Sequence, residues 1–547
     1  MNAAELVGQT VVRLGPTHVF GVVGSGNFAL TNAMVAAGAR YVAARHEGGA
    51  ASMADAFARM SGELGVLSVH QGCGLTNAMT GIAEAAKSGT PLLVLAAEAT
   101  EPRSNFYVDQ PALAHAVGAV SMRIENVASI IETVSGAIRT AIVGRRAVLL
   151  NLPLSVAVQP VTEQQEAADT GLRPQPEPRE PDPEGIERLT QALENAQRPV
   201  FVAGRGARGA AARDALSGLA DDCGALLATS AVAKGLFAGH RYSLDVSGGF
   251  SSPLAAELIG GADLIVGWGC ALNMWTMRHG RLIADDATVV QVDDNADALG
   301  AHRELSFGVV GDVTLTARAV RDALARQVEG YRTPELADRI RDGVRWRDVE
   351  YADSSRDDQI DPRTLSIAID DLLPAERVVA VDSGNFMGYP SMFWSVPDEY
   401  GFCFTQAFQS VGLGLASAIG AALARPDRLP VAALGDGGAL MSASELETVA
   451  RLGLPLVVVV YDDAAYGAEV HHFGPHGADL QTVRFPDTDL AMIARGYGFE
   501  AAVVRRVDDL APLGEWLAGP RDVPFLVDAK VTRERGSWWL EEAFRGH

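Results

Sequence analysis

Two aspartates lie where strands of a parallel sheet are predicted to end, and their surroundings suit a metal ion and a phosphate group. Asp436 lies in the glycine-rich turn 435–438, and Asp463 follows the apolar run 457–461. Backbone N–H groups in such a turn can hold phosphate, which would repel an aspartate among them. Mg²⁺ removes this conflict because it binds carboxylates together with phosphate oxygens. The pattern predicts a metal site, and capping of the next helix by Asp462 or Asp463 is the alternative.

The elements that must position these aspartates recur three times along the chain. Apolar runs with strand character alternate with alanine-rich helical patterns in residues 1–160, 185–329 and 361–547, as in parallel sheets covered by helices. A segment rich in proline and glutamate, 161–184, and a polar segment, 330–360, are predicted as linkers. We therefore predict the α/β class with three doubly wound parallel-sheet domains, whose ligands bind beyond the carboxyl ends of the strands.

Composition narrows the class of protein. A chain of 547 residues is too long for one core, and its 48% of hydrophobic residues can build several. The formal charge of −23 argues against surfaces for nucleic acid or anionic membranes, which would be repelled. The 4 cysteines are scattered without metal-ligand spacing. Neither a signal peptide nor a membrane span is evident, and a cytoplasmic protein is expected.

The central block contains a second glycine-rich turn. Gly204, Gly206 and Gly209 have the GxGxxG spacing of dinucleotide-binding turns and stand between a predicted strand and a predicted helix. The acidic residue that should follow the next strand is not evident, because Asp221 and Asp222 end the helix instead. We prefer a tight strand-to-helix turn, with nucleotide binding as the alternative.

The third block also resembles a known family. Its GDG turn, followed by the aspartate pair and by a Tyr-Gly step, resembles the thiamine-diphosphate motif of the pyruvate decarboxylase, benzoylformate decarboxylase and acetolactate synthase superfamily. The resemblance covers the whole chain and implies a pyrimidine-binding, a central and a diphosphate-binding domain. It implies Mg²⁺ held by Asp436, Asp463 and the carbonyl of Ala465. The residues that it assigns to thiamine diphosphate are Asn385, Phe386, Val411, Gly435, Gly437, Gly438, Tyr466 and Gly467.

Three positions gain meaning from this resemblance. Glu47 matches the glutamate that hydrogen-bonds the pyrimidine ring, a role that requires a dry pocket to raise the pKa of the carboxyl. Val411 matches an apolar wedge beneath the cofactor. A surface helix residue and a core valine are the structural alternatives. Most family members have asparagine where this chain has Asp463, and the added charge should make cofactor binding more dependent on Mg²⁺.

Four residues could move protons near the reacting carbon. Ser25, His70 and Gln71 lie in two turns of the first block, and Glu469 follows the aspartate pair. Ser25 and His70 resemble positions used by benzoylformate decarboxylase, whereas Glu469 resembles the acid of pyruvate decarboxylase. A turn that reads GPG in the family contains Cys73 here. The mixture indicates no single member, and a structural histidine is the alternative for His70.

Two pairs of residues near the end of the chain could suggest further sites. His471 and His472 are adjacent and project in different directions, so we prefer a lid or surface role to a metal site. Trp538 and Trp539 stand where family members close the pocket. Aromatic packing of the C terminus explains these tryptophans equally well.

The resemblance implies a non-oxidative lyase or transferase that decarboxylates a 2-oxo acid through the C2 ylide of the cofactor and releases or ligates the acyl group. One alternative is an acetolactate-synthase-like transferase that forms an acyloin, with structural FAD; the signatures of that enzyme are not evident, so FAD is not favoured. Another is a degenerate cofactor-binding protein, against which Glu47 argues. Glu47 and Asp436 lie in different blocks. We therefore expect a homodimer or homotetramer with sites at the subunit interface.

Overall fold

The computed structural model describes residues 1–162 and 177–543, and most of the predicted linker 161–184 lies outside these ranges. It contains three six-stranded sheets, one in each predicted domain. The paired strands run parallel in all three sheets. The predicted α/β class with three parallel-sheet domains is thereby confirmed.

The first domain has the strand order β2-β1-β3-β4-β6-β5. Its strands are β1 (His18–Gly21), β2 (Arg40–Ala43), β3 (Gly65–Val69), β4 (Leu92–Glu98), β5 (Val120–Arg123) and β6 (Ala147–Pro153). Its helices are α1 (Ala3–Arg13), α2 (Phe28–Ala36), α3 (Glu47–Ser61), α4 (Cys73–Ser88), α5 (Gln110–Ala116), α6 (Ile130–Gly144) and α7 (Leu154–Ala157).

The central domain has the order β12-β11-β10-β7-β8-β9. Its strands are β7 (Pro199–Ala203), β8 (Leu226–Thr229), β9 (Ser243–Val246), β10 (Leu264–Trp268), β11 (Thr288–Asp293) and β12 (Phe307–Val310). Its helices are α8 (Pro183–Asn195), α9 (Ala210–Cys223), α10 (Pro253–Gly260), α11 (Val313–Ala323) and α12 (Pro334–Gly343). Helix α12 lies in the segment predicted as the second linker, and its buried Leu336 and Ile340 join a core cluster of this domain.

The third domain has the order β14-β13-β15-β16-β18-β17. Its strands are β13 (Arg377–Val381), β14 (Phe402–Phe404), β15 (Leu429–Gly435), β16 (Val457–Asp462), β17 (Glu500–Val504) and β18 (Phe525–Lys530). Its helices are α13 (Pro362–Leu372), α14 (Gly388–Phe393), α15 (Gly414–Ala424), α16 (Asp436–Met441), α17 (Glu445–Leu452), α18 (Gly467–Phe473), α19 (Leu490–Gly496), α20 (Ala511–Ala518) and α21 (Trp538–Ala543).

The first and third domains share a hydrophobic core, in which α3 packs along α15. Close approach of the two helices depends on Gly420, because a Cβ there would overlap the backbone of Met53. Helix α3 begins at Glu47, where the His46 side chain accepts a hydrogen bond from the Gly48 N–H, and it ends at Gly62 in the left-handed conformation. This packing fixes the position of Glu47 relative to the third domain of the same chain.

Helix α6 departs from the expectation that no segment resembles a membrane span. The segment Val127–Gly144 is long and apolar enough to cross a membrane by length and composition alone. Its residues Ile130, Val134 and Ile138 are buried in a core cluster of the first domain. These contacts account for part of its apolar character, since 28% of the segment is buried in the protein.

Candidate cofactor site

Three aspartates of the third domain follow neighbouring strands at one edge of its sheet. Asp382 follows β13, Asp436 follows β15, and Asp463 follows β16. These strands are adjacent in the order β13-β15-β16, and Gly435 pairs with Tyr461 in the register of the last two. The carboxyl ends of parallel strands in open α/β sheets are where ligands bind. The sheet therefore brings together the two aspartates predicted from the sequence and a third that was not predicted.

Asp462 has its own counterion. Its carboxylate accepts a hydrogen bond from the buried Lys530 ammonium at 2.6 Å, and Asp487 accepts from the same ammonium at 2.7 Å. The other carboxylate oxygen of Asp462 accepts a hydrogen bond from the Ala464 N–H at 2.9 Å, in a turn where Ala464 has a positive φ of 51°. Asp462 therefore caps the turn before α18, and its charge is compensated by Lys530. That helix receives no side-chain cap hydrogen bond at Tyr466.

Asp436 and Asp463 form no ion pair in the described parts of the chain, and Asp436 is 8% exposed. The Arg533 guanidinium donates to the Asp463 backbone carbonyl at 3.3 Å, and its charge lowers the pKa of the Asp463 carboxyl without offsetting the effect of burial. Burial raises the pKa of Asp436, and the nearby charges of Asp463 and Asp462 raise it further. Burial also raises the pKa of Asp463, and Asp462 adds to that effect. Two carboxylates held together in this way create a strong local demand for a cation.

Asp382 holds three turns of the site together. It accepts hydrogen bonds from the Ser383 N–H at 2.9 Å and from the Gly412 N–H at 3.0 Å. A Cβ at Gly438 would overlap its carboxylate. Burial raises the pKa of Asp382 to about 6, although backbone N–H groups oppose that rise. An aspartate directly after a buried strand is the signal that led to Asp436, and the same signal could have identified Asp382.

The glycines of the turn 435–438 make room for side chains of the site. A Cβ at Gly435 would lie 3.0 Å from the Phe386 ring, and one at Gly437 would lie 2.8 Å from the Tyr466 ring. A Cβ at Gly438 would come within 3.4 Å of Val411, which is 38% exposed. Phe386 in turn stacks on Tyr461 with ring centroids 5.6 Å apart. The structure therefore brings the residues predicted to bind cofactor around one turn.

The remaining predicted residues of this domain lie on the same side. Asp463 accepts a hydrogen bond from the Ala465 N–H at 3.2 Å, and a Cβ at Gly467 would overlap the Asp463 carboxylate. The Asn385 side chain lies beside Gly467, 3.3 Å from the position of such a Cβ. Glu469 is exposed in the first turn of α18. We call the loop 463–467 the metal loop because it contains the predicted ligands Asp463 and Ala465. Gly467 ends this loop and Asn385 borders it, whereas Glu469 lies at its rim.

Glu47 lies apart from these residues in the single chain. Its carboxylate accepts a hydrogen bond from the Asn77 amide at 3.0 Å and is partly exposed. The adjacent Arg45 and His46 N–H groups donate to the buried Glu445 of α17 at 3.0 and 3.1 Å. Among the described contacts, none joins Glu47 to Asp436 or Asp463. The dry pocket expected around this carboxyl is not formed by the described residues of one chain.

Ser25, His70 and Gln71 form a second group. The His70 Nδ1–H donates to the Gln71 carbonyl at 2.9 Å, which leaves Nε2 as an acceptor 3.4 Å from the Ser25 hydroxyl. The His70 ring packs edge-on against Phe106 at 5.0 Å. The Gln71 side chain is buried, and a Cβ at Gly26 would overlap it. A Cβ at Gly74 would lie 3.0 Å from His70 and 3.4 Å from Glu47, so this group adjoins Glu47.

The glycine-rich turn of the central domain has a packing role. The N–H groups of Gly204 and Gly206 donate to the carbonyls of Trp268 and Gly269 at 2.9 and 3.0 Å. A Cβ at Gly204 would overlap the Gly269 carbonyl, and one at Gly206 would lie 2.8 Å from the Gly269 Cα. Gly209 has a φ of 129°, a conformation that favours glycine. Contacts between two neighbouring turns therefore explain this motif.

The terminal histidines and tryptophans lie near the site without forming a metal centre. Among the described residues, no group of three or more His, Cys, Asp or Glu side chains is placed to hold a metal ion. Burial lowers the pKa of His471, whose ring lies 3.3 Å from the position of a Cβ at Gly536. Trp539 donates from Nε1 to the Asn385 carbonyl at 2.9 Å. The C-terminal segment is thus packed on a predicted cofactor residue.

These donors fit thiamine diphosphate and Mg²⁺. Mg²⁺ uses one or two protein carboxylates and completes its octahedron with phosphate oxygens and water. Asp436 and Asp463 supply two uncompensated carboxylates, and the Ala465 carbonyl lies in the same loop. A Cβ at Gly437 or Gly438 would meet the Tyr466 ring or the Asp382 carboxylate, so these glycines let side chains of the site approach the turn. A site with two carboxylates and no third ligating side chain suits Mg²⁺, which would take its remaining ligands from the diphosphate and from water.

Family models match all three domains. The N-terminal, central and C-terminal domains of thiamine pyrophosphate enzymes, thiamine pyrophosphate being another name for thiamine diphosphate, match residues 1–120, 186–320 and 382–529. Models of the first and last are described as TPP binding domains. The resemblance inferred from the sequence is confirmed.

Curated relatives match almost the whole chain. The probable 2-ketoarginine decarboxylase of Pseudomonas aeruginosa is 30% identical over 92% of this chain and 90% of its own length. The 2-hydroxyacyl-CoA lyase of Oryza sativa is 28% identical over 93% and 92%, respectively. The sulfoacetaldehyde acetyltransferase of Rhodobacter capsulatus is 27% identical over 99% and 96%. With its three matched domains, the chain belongs to the thiamine pyrophosphate enzyme family.

Proposed function

We propose that the protein is a Mg²⁺- and thiamine-diphosphate-dependent enzyme that cleaves a bond beside the carbonyl of a small 2-oxo acid and releases or ligates the acyl group. The observation that carries this proposal is the uncompensated pair Asp436 and Asp463 beside the glycine turn of a thiamine pyrophosphate domain. Asp462 is paired with Lys530, whereas Asp436 and Asp463 form no ion pair among the described residues, and a bound Mg²⁺ would supply the positive charge that they lack.

The chain's own residues hold and orient the cofactor. Asp436, Asp463 and the Ala465 carbonyl would hold Mg²⁺, and Gly437 and Gly438 would contact the diphosphate. Val411, which is exposed beside Gly438, would support the cofactor. Thiamine diphosphate, when bound, supplies a nucleophilic carbon and an electron sink for cleavage beside a carbonyl.

Glu47 reaches a second copy of the chain in this proposal. Its carboxylate is partly exposed and has no described contact with the metal loop of its own chain. Around that loop, large apolar side chains are exposed: Phe408, Val411, Leu440 and Met441. Such a surface is typical of a protein interface. We propose a homodimer, alone or within a homotetramer, in which Glu47 of one copy faces the cofactor held by the other.

His70 and Ser25 would move protons on the substrate. With Nδ1–H bound to the Gln71 carbonyl, the Nε2 of His70 can accept a proton and the Ser25 hydroxyl can relay it. The Gln71 backbone carbonyl accepts the His70 Nδ1–H and orients the ring. Glu469 is exposed in the first turn of α18 and would act on a released group. Glu47 lies close to His70, so the proton-moving groups of the first domain share one patch.

The names of the relatives do not identify one donor substrate for this chain. Several of them support the alternative that the protein is an acyl transferase. Four relatives named sulfoacetaldehyde acetyltransferase or probable sulfoacetaldehyde acetyltransferase are 25–27% identical to this chain. Pyruvate oxidase and an acetolactate synthase large subunit are 26% and 28% identical. The packed glycine turn of the central domain gives no support to structural FAD, so FAD is not part of the proposal. Flavin absorbance of the purified protein would contradict this choice.

A donor panel tests the proposal. The protein should be incubated with thiamine diphosphate, Mg²⁺ and pyruvate, 2-ketoarginine, other 2-oxo acids or sulfoacetaldehyde, each with and without an acyl acceptor such as phosphate or an aldehyde, with carbon dioxide and acyl products followed by mass spectrometry. A 2-oxo acid that yields carbon dioxide supports the proposed decarboxylase. Turnover of sulfoacetaldehyde alone would replace it with the transferase, and no product from any donor would contradict both.

Substitution of Glu47 tests its proposed role. Glu47→Gln should reduce kcat by roughly 10²- to 10⁴-fold, because a general acid or base contributes about that much, while thiamine diphosphate still binds. Glu132→Gln is a matched control, since Glu132 also lies in the first turn of a helix of the same domain and is exposed. Equal activity of both variants would contradict the role of Glu47.

A further inference from the structure

We infer that the C-terminal segment 536–539, here called the C-terminal clamp, positions the diphosphate-binding loop 384–387 by holding Asn385. This inference rests on the proposed function, because that function makes Asn385 a cofactor residue. Three hydrogen bonds join the two segments: the Ser537 N–H donates to Asn385 Oδ1 at 2.9 Å, and the Ser537 hydroxyl and the Trp539 Nε1–H donate to the Asn385 carbonyl at 2.6 and 2.9 Å.

These hydrogen bonds are formed away from water. Ser537 is 1% exposed and Asn385 is 9% exposed. A buried carbonyl that loses its donors costs more free energy than the same carbonyl at the surface, where water replaces them. The contact is also tightly packed, because a Cβ at Gly388, which begins α14, would overlap the Trp539 ring. The clamp therefore restrains both the backbone and the side chain of Asn385.

The clamp also sets the direction of the Asn385 amide. Its Oδ1 is occupied by the Ser537 N–H, so its Nδ2 group points the other way. Nδ2 lies 3.4 Å from the position of a Cβ at Gly467, beside the Asp463 carboxylate. An amide donor in that place would contact the diphosphate of a bound cofactor. If Ser537 released Oδ1, the amide could rotate and present an acceptor to the phosphate, which would repel it.

The central domain holds the clamp from behind. Trp539 packs against Phe250 and Trp275, with ring centroids 6.3 and 6.5 Å apart. Trp538 packs against Trp346 at 6.2 Å and lies 5.4 Å from the Arg278 guanidinium. The clamp thus connects the aromatic surface of the central domain to the cofactor loop of the third domain. The central domain is thereby connected to the cofactor loop through the clamp, although its own glycine-rich turn is closed by packing.

A clamp and a substrate lid predict different measurements. A lid over the substrate would change the KM for the substrate and leave the affinity for the cofactor unaltered. A clamp on Asn385 acts on the diphosphate, so its loss should weaken thiamine diphosphate binding and loosen the 384–389 backbone even without substrate. Cofactor affinity and backbone exchange therefore separate the two roles.

The chain offers a matched pair of tryptophans for the test. Trp539→Phe keeps most of the ring and removes the Nε1–H donor to Asn385. Trp538→Phe removes an Nε1–H that is buried and has no partner among the described residues. Ser537→Ala removes the hydroxyl donor without changing the size of the ring packing. Each variant is compared with the wild type in the full chain, by calorimetric titration with thiamine diphosphate in Mg²⁺ and by hydrogen–deuterium exchange of the cofactor-free protein.

Trp539→Phe and Ser537→Ala should each weaken cofactor binding about 5- to 10-fold, as expected for one lost hydrogen bond to a buried carbonyl. Exchange in 384–389 should be faster in both variants. Trp538→Phe should weaken cofactor binding less than Trp539→Phe does, because it loses ring area against Trp346 and Arg278 but no hydrogen bond to Asn385. Unchanged exchange, or faster exchange with unchanged affinity, would contradict the clamp. A wild type that does not bind thiamine diphosphate would contradict the proposed function, and the exchange data would still judge the clamp.

Discussion

The chain contains two glycine-rich strand-to-helix turns that look alike in sequence and differ in what surrounds them. In the central domain, Gly204 and Gly206 press against the backbone of a neighbouring turn and donate their N–H groups to its carbonyls. In the third domain, Gly435, Gly437 and Gly438 lie against side chains, namely Phe386, Tyr466 and Asp382. The first turn is closed by its neighbour, whereas the second remains lined by side chains.

The difference shows that glycine spacing alone does not identify a phosphate site. What sets the third-domain turn apart is charge: two carboxylates that form no ion pair among the described residues adjoin it, while the nearby Asp462 is paired with Lys530. An uncompensated charge is costly in a folded protein unless a ligand supplies the opposite charge. Packing against backbone explains the glycines of the central turn, and packing against side chains of the candidate site explains those of the third-domain turn.

Removing a carboxylate from the third-domain turn should have the largest effect. Asp436→Asn should weaken Mg²⁺-dependent binding of thiamine diphosphate by at least about 100-fold, since loss of even an indirect metal contact costs 10- to 100-fold. Asp463→Ala should have a similar effect and Asp463→Asn a smaller one, because asparagine still offers an oxygen. Asp508→Asn, at an exposed position of the same domain, is the control. Calorimetry in which the Asp436 and control variants bind alike would refute the metal assignment.

Alanine substitutions in the two turns should separate stability from binding. Gly204→Ala places a Cβ against the Gly269 carbonyl and should lower the Tm, because overpacking against backbone costs roughly 1–3 kcal/mol. Gly437→Ala meets the ring of Tyr466, which is 37% exposed and can move. It should leave the Tm nearly unchanged and weaken cofactor binding roughly tenfold, because the displaced ring enters the site.

Thermal denaturation measures the Tm of both glycine variants, and calorimetry measures their affinity for thiamine diphosphate. The comparison fails if Gly204→Ala weakens cofactor binding as much as Gly437→Ala does. It also fails if Gly437→Ala lowers the Tm more than Gly204→Ala, since the side chain that it meets would then be as rigid as backbone.

The smallest expected effect concerns Asp382 and pH. Burial raises the pKa of its carboxyl from 3.8 to about 6. Between these values the folded protein keeps a proton that the unfolded chain releases, so the stability contributed by this group falls as pH rises through the window. The Asp382→Asn variant cannot ionise at this position, so it does not lose this stability.

The variant gives a pH-dependent difference that can be measured without cofactor. Asp382→Asn should be less stable than the wild type at pH 4, because an amide replaces one acceptor oxygen with a donor. The Tm difference between the two proteins should narrow by a few degrees between about pH 4 and pH 7. A constant difference across this range would show that Asp382 titrates normally.

The sequence predicted the centre of each sheet better than its edges. The apolar runs recognised as strands, such as β4 and β16, are buried on both faces, so nearly every residue is apolar. The six edge strands, β2, β5, β9, β12, β14 and β17, were not recognised. They have three to five residues each, and partly exposed faces weaken their apolar pattern. The inner strand β8, with four residues, was missed as well.

The site was predictable where it depends on local pattern and unpredictable where it depends on strand order. Asp436 and Asp463 could be found because each follows an apolar run. Lys530 could not be assigned to Asp462 without knowing that β18 pairs with β16 and places the two residues opposite each other. The link from Ser537 to Asn385 joins residues 152 positions apart and leaves no trace in either segment.

The central claim is that the two uncompensated carboxylates bind a diphosphate through Mg²⁺. Calorimetric titration of the wild-type protein with thiamine diphosphate, once in Mg²⁺ and once in EDTA, tests it most directly. We predict saturable binding of one cofactor per chain in Mg²⁺ and at least about 100-fold weaker binding in EDTA, because without the cation the carboxylates repel the diphosphate. Equal affinity under the two conditions would contradict the account.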